Sequence, residues 1–407
     1  MENKVDNKCK KTIFELEVLA YVFLLPIIVD FFNVIVNQFK LGNPSLITTF
    51  IYIVSLLIIL IKGFKHIRIN DVLLCFVSII PFILSYFLFS GSRQFLFKQD
   101  MLIIYVFFFP ISILYIKNIN DWRDFYRIFE KFGEIAISLA VFILLFLDYS
   151  SYLVYMGFSY ALLPFIAVIY RKARSISSLK SWLFFFTGLI TILIFGARAA
   201  FLFIIIYIIL YELFTKRISS RKNMLTLFLV GVMAGIIFLF YDSFMNSIAH
   251  ISILNNSYIV QRLIQGKLFE AETRNILYEN CRNRINCMGL EVSGFFGDRR
   301  YCMGFAYPHN IIYEVLMSWG WIIGIIFLIV LFAMIMKVIV TKNLSIREIA
   351  ILFIVTCFLK FFVSGSYLID GKFWLFISIL SALSKAIKCE KVCSTDNNEK
   401  ENLIEMI

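Results

Sequence analysis

Apolar segments recur along the whole chain, and short polar segments separate most of them. An α-helix needs about 20 mainly apolar residues to cross the roughly 30 Å hydrocarbon core of a bilayer. About twelve segments approach this length, and together they predict an all-α polytopic membrane protein. The predicted spans cover residues 16–37, 45–62, 71–90, 100–117, 132–148, 152–170, 182–197, 199–215, 224–241, 309–336, 347–364 and 373–388.

One polar segment is much longer than the others and divides the chain into four predicted regions. These regions are nine spans with short loops (1–241), a partly helical loop (242–308), three further spans (309–388) and a polar tail (389–407). We expect the tail to be disordered or loosely helical.

Composition agrees with this pattern. The chain is 61% hydrophobic and only 16% charged, whereas soluble domains have about 45–50% apolar and about 25% charged residues. This excludes a soluble enzyme. The net charge of +12 could indicate a nucleic-acid partner, but the basic residues cluster in alternate short loops, which is typical of cytoplasmic loops. We therefore expect no nucleic-acid partner, both termini in the cytoplasm and the long loop outside.

The sequence lacks the features of a nucleotide- or metal-dependent enzyme. It has no glycine-rich phosphate-binding motif and no CxxC pair. No predicted cytoplasmic segment is large enough to be a nucleotide-binding domain. We therefore expect no cofactor and no metal, and we expect the chemistry to use substrates that carry their own energy.

A polar cluster lies where the long loop meets the next span. It begins at Tyr307-Pro308-His309-Asn310 and continues with Tyr313 and Glu314. Pro308 predicts a helix start, with His309 and Asn310 in the first turn. A histidine there can accept a proton near neutral pH. The alternative is a capping histidine, with Glu314 paired to an arginine.

A second candidate group lies on a predicted helix of the long loop. Arg274, Tyr278 and Arg282 repeat every four residues and therefore share one face. A guanidinium group binds phosphate oxygens through two parallel hydrogen bonds and keeps its charge, so this face suits a diphosphate. The alternative is a solvated face balanced by nearby glutamates. Arg299 is a further candidate substrate contact.

Two other features carry weaker predictions. Arg198 lies between small residues where two apolar segments meet, so it is either functional or a charge that snorkels at a helix end. Asp370 and Lys372 are interpreted as an ordinary polar turn.

The long loop contains Cys281, Cys287 and Cys302. Disulfides persist outside the cytoplasm. We therefore expect one disulfide, between Cys302 and one of the other two.

With these motifs in order, the chain resembles the O-antigen polymerase and O-antigen ligase superfamily of bacterial envelope glycosyltransferases. The resemblance rests on Gly-Ala-Arg198-Ala-Ala, on Thr-Arg274-Asn-Ile-Leu-Tyr, and on Pro-His309-Asn310 followed by Gly320. Family members usually have a small residue three positions after that glycine, where this chain has Ile323.

The resemblance implies a GT-C-like fold in the bacterial inner membrane, with a periplasmic long loop. It implies metal-independent glycosyl transfer from oligosaccharides linked to polyprenyl (undecaprenyl) diphosphate. Arg198 and Arg274 would stabilise the diphosphate, and His309 would orient or deprotonate the acceptor. Asn310, Tyr313 and Glu314 would hold sugar. Tyr278, Arg282 and Arg299 are further candidate substrate contacts.

Three functions remain open at this level. The favoured one is an O-antigen polymerase in lipopolysaccharide biosynthesis, with a chain-length regulator protein as a candidate partner. The second is a ligase that transfers polysaccharide to the lipid A core. The third is a flippase for lipid-linked oligosaccharides, which the sequence disfavours because neither inverted repeats nor paired broken helices are evident.

Overall fold

The computed structural model describes residues 2–147, 155–195, 198–214, 231–232 and 272–405. Within these ranges all regular structure is helical and no strand occurs, which confirms the all-helical prediction. The α-helices are α1 (Glu2–Phe39), α2 (Pro44–Gly63), α3 (Ile69–Leu88), α4 (Arg93–Leu96), α5 (Gln99–Ile103), α6 (Phe109–Leu114), α7 (Phe125–Phe146), α8 (Tyr155–Ile176), α9 (Leu179–Phe195), α10 (Arg198–Phe214), α11 (Glu272–Met288), α12 (Ile311–Ile339), α13 (Leu344–Phe353) and α14 (Gly371–Glu405).

Five helical segments in the described part of the chain are long and apolar enough to cross a membrane. They correspond to the first four predicted spans and to the span after the long loop, which supports a helical membrane protein. The count of twelve spans and the GT-C-like architecture remain predictions. The five segments are Lys10–Phe39, Pro44–His66, Ile69–Leu88, Met101–Asn118 and Ile311–Ile339.

Other predicted regions are matched in part. Helices α7 to α10 overlap the predicted spans at 132–148, 152–170, 182–197 and 199–215. The predicted span 224–241, apart from residues 231–232, and the first part of the long loop lie outside the described residues. The polar tail continues α14 as helix to Glu405.

Basic segments that the sequence analysis places on the same side of the membrane contact one another. Lys117 Nζ lies 2.8 Å from Asp71 Oδ1, and Lys385 Nζ donates to the carbonyl oxygen of Lys117 at 2.9 Å. Nearby, Arg171 Nε donates to Glu348 Oε2 at 3.3 Å. The loops that carry these charges therefore lie at a shared end of the helices.

Helix α12 is broken at Gly320, which has φ 69° and ψ −177°. The carbonyl oxygen of Ser318 accepts hydrogen bonds from the N–H groups of Ser293 and Gly294, both at 2.9 Å. A Cβ atom at Gly320 would lie 2.7 Å from the carbonyl oxygen of Glu291. Glycine is therefore required for both the backbone angle and the close approach of the loop.

A second interruption follows α13. The chain passes through a π-helical segment at Ile354–Phe358 and a 3-10 turn at Leu359–Phe362 before it leaves the helix. Broken helices were not evident in the sequence, and a further π-helical segment, Ile104–Phe108, follows α5 within the fourth predicted span. Hydropathy measures the length of an apolar segment and does not detect such changes of backbone geometry.

Candidate functional site

The loop before α12 has a different local structure from the one predicted. The helix begins at Ile311, and Asn310 is its N-cap, with Oδ1 accepting from the N–H of Ile312 at 2.9 Å. The prediction that Pro308 starts the helix was therefore wrong. Asn310 Nδ2 also donates to the carbonyl oxygen of Phe362 at 3.5 Å. The capping residue thus connects α12 to the interruption after α13.

His309 has a left-handed backbone conformation, with φ 57°. This region costs an L-residue about 1–2 kcal/mol. The imidazole ring centroid lies 4.4 Å from that of Tyr307 and 6.1 Å from that of Phe305. Strained residues held by their surroundings cluster at functional sites, so the conformation marks His309 as a candidate.

The surroundings of His309 keep its side chain neutral. Burial and the nearby Arg274 and Arg299 guanidinium groups lower the pKa of His309 to about 4. Its Nδ1 atom is buried and has no hydrogen-bond partner among the described residues. At neutral pH the imidazole is therefore uncharged, and the same surroundings make it a weaker base than an ordinary histidine.

Arg274 lies close to His309, as the motifs suggested. It projects from the N-terminal part of α11, is exposed, and its Nη1 donates to the carbonyl oxygen of Val363 at 3.5 Å. One turn later, the Tyr278 ring packs edge-on against Tyr313, with centroids 5.6 Å apart. The fold thus brings these predicted residues together from α11 and α12.

The apolar face of α11 holds these side chains in place. Leu277, Cys281 and Ile285 are buried together with Leu316 and Met317 of α12. This packing leaves the adjacent polar face of α11 free to project Arg274.

For two other predicted arginines, the described part of the structure gives no contact that bears on a role in the site. Arg282 is exposed, and its Nε donates to the carbonyl oxygen of Tyr278 in its own helix at 3.3 Å. Arg198 is the first residue of α10, but its side chain lies outside what the structure describes. The proposed roles of both arginines therefore remain predictions.

Arg299 has a buried, fully engaged guanidinium group. Its Nη1 forms an ion pair with Asp298, and its Nη2 contacts Glu314 Oε1 at 3.0 Å and Ser366 Oγ at 2.7 Å. Burial disfavours the charge on Arg299, but the two adjacent carboxylates outweigh it and raise its pKa. Burial raises the pKa of Asp298, and Arg299 opposes this effect.

This network changes the interpretation of two predicted substrate contacts. Glu314 has only 1% of its surface exposed and also accepts from the N–H of Tyr367 at 3.3 Å. Arg299 and Glu314 therefore bind each other and connect the loop to α12 and to residues 366–367. The alternative left open by the sequence, Glu314 paired with an arginine, is the arrangement observed.

The three loop cysteines are thiols in the structure, so the expected disulfide is not present. Cys281 and Cys302 are buried, whereas Cys287 is exposed. The Cys302 thiol donates to the carbonyl oxygen of Asp298 at 3.3 Å. Burial raises the pKa of the Cys302 thiol, which disfavours the reactive thiolate.

A cavity of about 410 Å³ adjoins this loop. Tyr307 contributes to its wall, and the other lining residues come from α1, α2, α8, the π-helical segment after α5, and residues 360–372. Its charged lining residues are Asp30, Lys360, Asp370 and Lys372. Ligand-binding cavities have volumes of about 300–1,000 Å³, so this one is large enough for a small ligand or for part of a larger one.

The charged residues of the cavity form a connected group. Lys360 Nζ forms an ion pair with Asp370, and the N–H of Lys372 donates to Asp370 Oδ1 at 2.9 Å. Lys372 Nζ donates to the carbonyl oxygen of Tyr160 at 2.9 Å. Although burial opposes ionisation, the two lysines lower the pKa of Asp370.

Sequence reasoning missed this cavity. It treated Asp370 and Lys372 as an ordinary polar turn, whereas Lys372 is only 7% exposed and Lys360 only 5%. The available signal was the presence of Asp30 and Lys360 inside apolar segments, because ionisable residues at membrane depth are expensive and functional by default.

No group of three or more His, Cys, Asp or Glu side chains in the described ranges could hold a metal ion. The arrangement can bind an anion at Arg274, accept a proton at His309 and hold a polar ligand in the adjoining cavity. In comparisons with known protein families, curated proteins and solved structures, the chain matches none of them.

Proposed function

We propose that this protein is a membrane glycosyltransferase that polymerises a bacterial surface polysaccharide, as an O-antigen polymerase does. It would join oligosaccharide repeat units linked to polyprenyl diphosphate at the outer face of the inner membrane. The observation that carries the proposal is the half-buried His309 in a left-handed backbone conformation, beside the exposed Arg274 and next to a polar cavity in an apolar helical protein. The motif order that resembles this superfamily supports it.

Arg274 is the proposed contact to the donor diphosphate. Its guanidinium group is exposed, and its Nη1 makes a long hydrogen bond to the carbonyl oxygen of Val363. Arginine binds phosphate oxygens through two parallel hydrogen bonds. It would stabilise the charge that develops on the leaving diphosphate, a contribution that is commonly the largest in catalysis. Arg198 is proposed to assist from the start of α10.

In the proposed reaction an acceptor hydroxyl oxygen attacks the anomeric carbon of the donor sugar. A new glycosidic C–O bond forms, the bond to the diphosphate oxygen breaks, and the lipid diphosphate leaves with that electron pair. His309 takes the hydroxyl proton. A diphosphate bound at Arg274 would offset one of the charges that lower the pKa of His309, so donor binding would strengthen the base.

The distribution of charge supports an outer location for this site. The contacting basic segments of Lys117, Lys385 and Arg171 lie at one end of the helices. The cavity is lined by residues 26–30 of α1 and 48–52 of α2 and by the first turns of α8 and α14, whereas Arg171 and Lys385 lie further along α8 and α14. Basic loops face the cytoplasm, so the cavity and His309 would face the periplasm.

A transporter of lipid-linked oligosaccharides is the second candidate, and one observation favours it. The helices are interrupted near Gly320 and at 354–362, and the second interruption contributes Lys360 to a charged cavity. Transporters place substrate and ion sites at such interruptions. A ligase is separated from a polymerase by its product, not by a feature of this site.

A gene deletion tests the proposal. We expect the surface polysaccharide on a gel to lose its long-chain ladder and to keep a single repeat unit attached. Loss of every unit together with accumulation of lipid-linked polymer would instead identify a ligase. Loss of every unit with accumulation of single lipid-linked units in the inner leaflet would identify a transporter.

A further inference from the structure

The cavity beside Tyr307 contains polar groups that the fold itself leaves without partners. Asp30 lines it, and within the described part of the chain no side chain or amide is found hydrogen-bonded to its carboxylate. The hydroxyl of Tyr160, a residue only 5% exposed, makes no hydrogen bond of good geometry in the described ranges, and the Ser364 side chain is a polar group that interacts with it. Buried polar groups are nearly always satisfied, so exceptions indicate a ligand or water.

The balance of charge in the cavity argues against an anion as its occupant. Two carboxylates and two ammonium groups line it, so their formal charges cancel. Asp370 is already engaged by Lys360 and by the N–H of Lys372. Asp30 accepts no hydrogen bond within the described ranges and interacts with the charge of Lys372.

A saccharide fits these groups better. A carboxyl group can accept hydrogen bonds through its oxygens, whereas a lysine ammonium only donates them. Sugar hydroxyls do both, so one sugar can pair with Asp30 and with Lys372. The aromatic rings of Tyr52, Phe108 and Tyr307 also line the cavity and offer apolar surface to the C–H faces of a sugar.

The geometry points to a sugar-binding subsite in this cavity, in which Asp30 and the Tyr160 hydroxyl hold hydroxyl groups of a repeat unit. This inference rests on the proposed function and extends it, because Tyr307 lies between the cavity and His309, with its ring 4.4 Å from the imidazole. A sugar in the cavity would therefore extend towards the proposed base.

The test is binding of the free oligosaccharide repeat unit, released from the strain's own surface polysaccharide, to the purified full-length protein in detergent. Calorimetry should give a Kd that rises about tenfold or more in Asp30→Asn, because a hydrogen bond to a charged group is lost. Tyr160→Phe removes only one hydroxyl oxygen and should also weaken binding. Glu17→Gln, at an exposed carboxylate of α1, is the matched control and should leave the Kd unchanged.

Inorganic pyrophosphate is the competing probe. It should not displace the oligosaccharide from the wild-type protein. Displacement would overturn the inference in favour of a diphosphate site. Unchanged oligosaccharide binding in both Asp30→Asn and Tyr160→Phe would also overturn it. Asp30-dependent binding by a protein that forms no glycosidic bond would refute the proposed function and leave the subsite standing.

Discussion

His309 can be tested without disturbing its backbone. Asparagine is enriched at positive φ, so His309→Asn keeps the left-handed conformation and removes the imidazole. We expect chain extension to fall by about 100-fold or more, within the range for loss of a general base. The measurement is the rate of extension by membranes that contain equal amounts of each protein.

The matched comparison is His309→Ala. It lacks the imidazole but fits the left-handed backbone less well than asparagine, so its activity should fall equally and its stability should fall further. Normal extension by His309→Asn would exclude His309 as the base and would leave it a structural residue.

The pKa of His309 also predicts how stability depends on pH. The folded protein holds the imidazole neutral, with a pKa of about 4, against an ordinary value of 6.5. Between these pH values the unfolded chain binds more protons than the folded protein. The contribution of His309 to the free energy of unfolding is therefore complete above about pH 6.5 and is lost as the pH falls towards 4. The melting temperature should therefore drop more between about pH 7 and pH 5 in the wild type than in His309→Asn. Equal drops would contradict the assigned environment.

Arg274 is predicted to act through its charge and its planar shape. Arg274→Ala should reduce extension by about 100-fold, the size of effect seen when one group that stabilises transition-state charge is removed. Arg274→Lys should recover part of that loss, because the charge returns without the paired hydrogen bonds. Arg123→Ala, at an exposed arginine of another segment, is the control. Full activity in Arg274→Ala would refute the diphosphate contact.

At the residue scale, the sequence identified side chains by type and spacing but not by their partners. His309 and Arg274 were predictable because both lie in short polar motifs at the ends of apolar segments. The pairing of Arg299 with Glu314 and Ser366 was not, because the last of these lies 67 residues from Arg299 along the chain. The surroundings of Asp30, which include Lys372, likewise depend on which helices pack around it.

At the scale of elements, Gly320 is the position most sensitive to substitution. Gly320→Ala places a Cβ atom 2.7 Å from the carbonyl oxygen of Glu291 at a φ of 69°. The backbone conformation alone costs about 1–2 kcal/mol for an L-residue. We expect a melting temperature several degrees lower in detergent, together with reduced extension, because the loop before His309 is anchored at this break.

Gly133→Ala in α7 is the control for this substitution. Its Cβ atom would first meet the Ile169 side chain, at 3.3 Å, in an unbroken helix that favours alanine over glycine. Its melting temperature should stay close to that of the wild type. A Gly320→Ala protein as stable as Gly133→Ala would show that the break at Gly320 is not required.

The elements themselves were largely predictable, whereas their interruptions were not. Apolar length located the helices because a membrane span must satisfy its backbone internally. The break at Gly320 is stabilised by the N–H groups of Ser293 and Gly294, which belong to a different segment. No local pattern of hydrophobic residues contains that information.

At the scale of the whole molecule, the protein is apolar and helical and has a polar site towards one end of its helices. The basic segments near Lys117 and Lys385 lie at the opposite end from the cavity. This separation was predictable as a charge bias between alternate loops. The position of the cavity was not, since it is formed by residues drawn from positions 26 to 372 of the chain.

The most direct test of the central claim is reconstitution of the purified protein in liposomes with the lipid-linked repeat unit as the only substrate. We expect repeat units to join, with one polyprenyl diphosphate released per new glycosidic bond, in the presence of a metal chelator and without any nucleotide. His309→Asn should abolish both products. Liposomes in which no bond forms and no lipid diphosphate is released, while the lipid-linked unit crosses the bilayer, would contradict the proposed function.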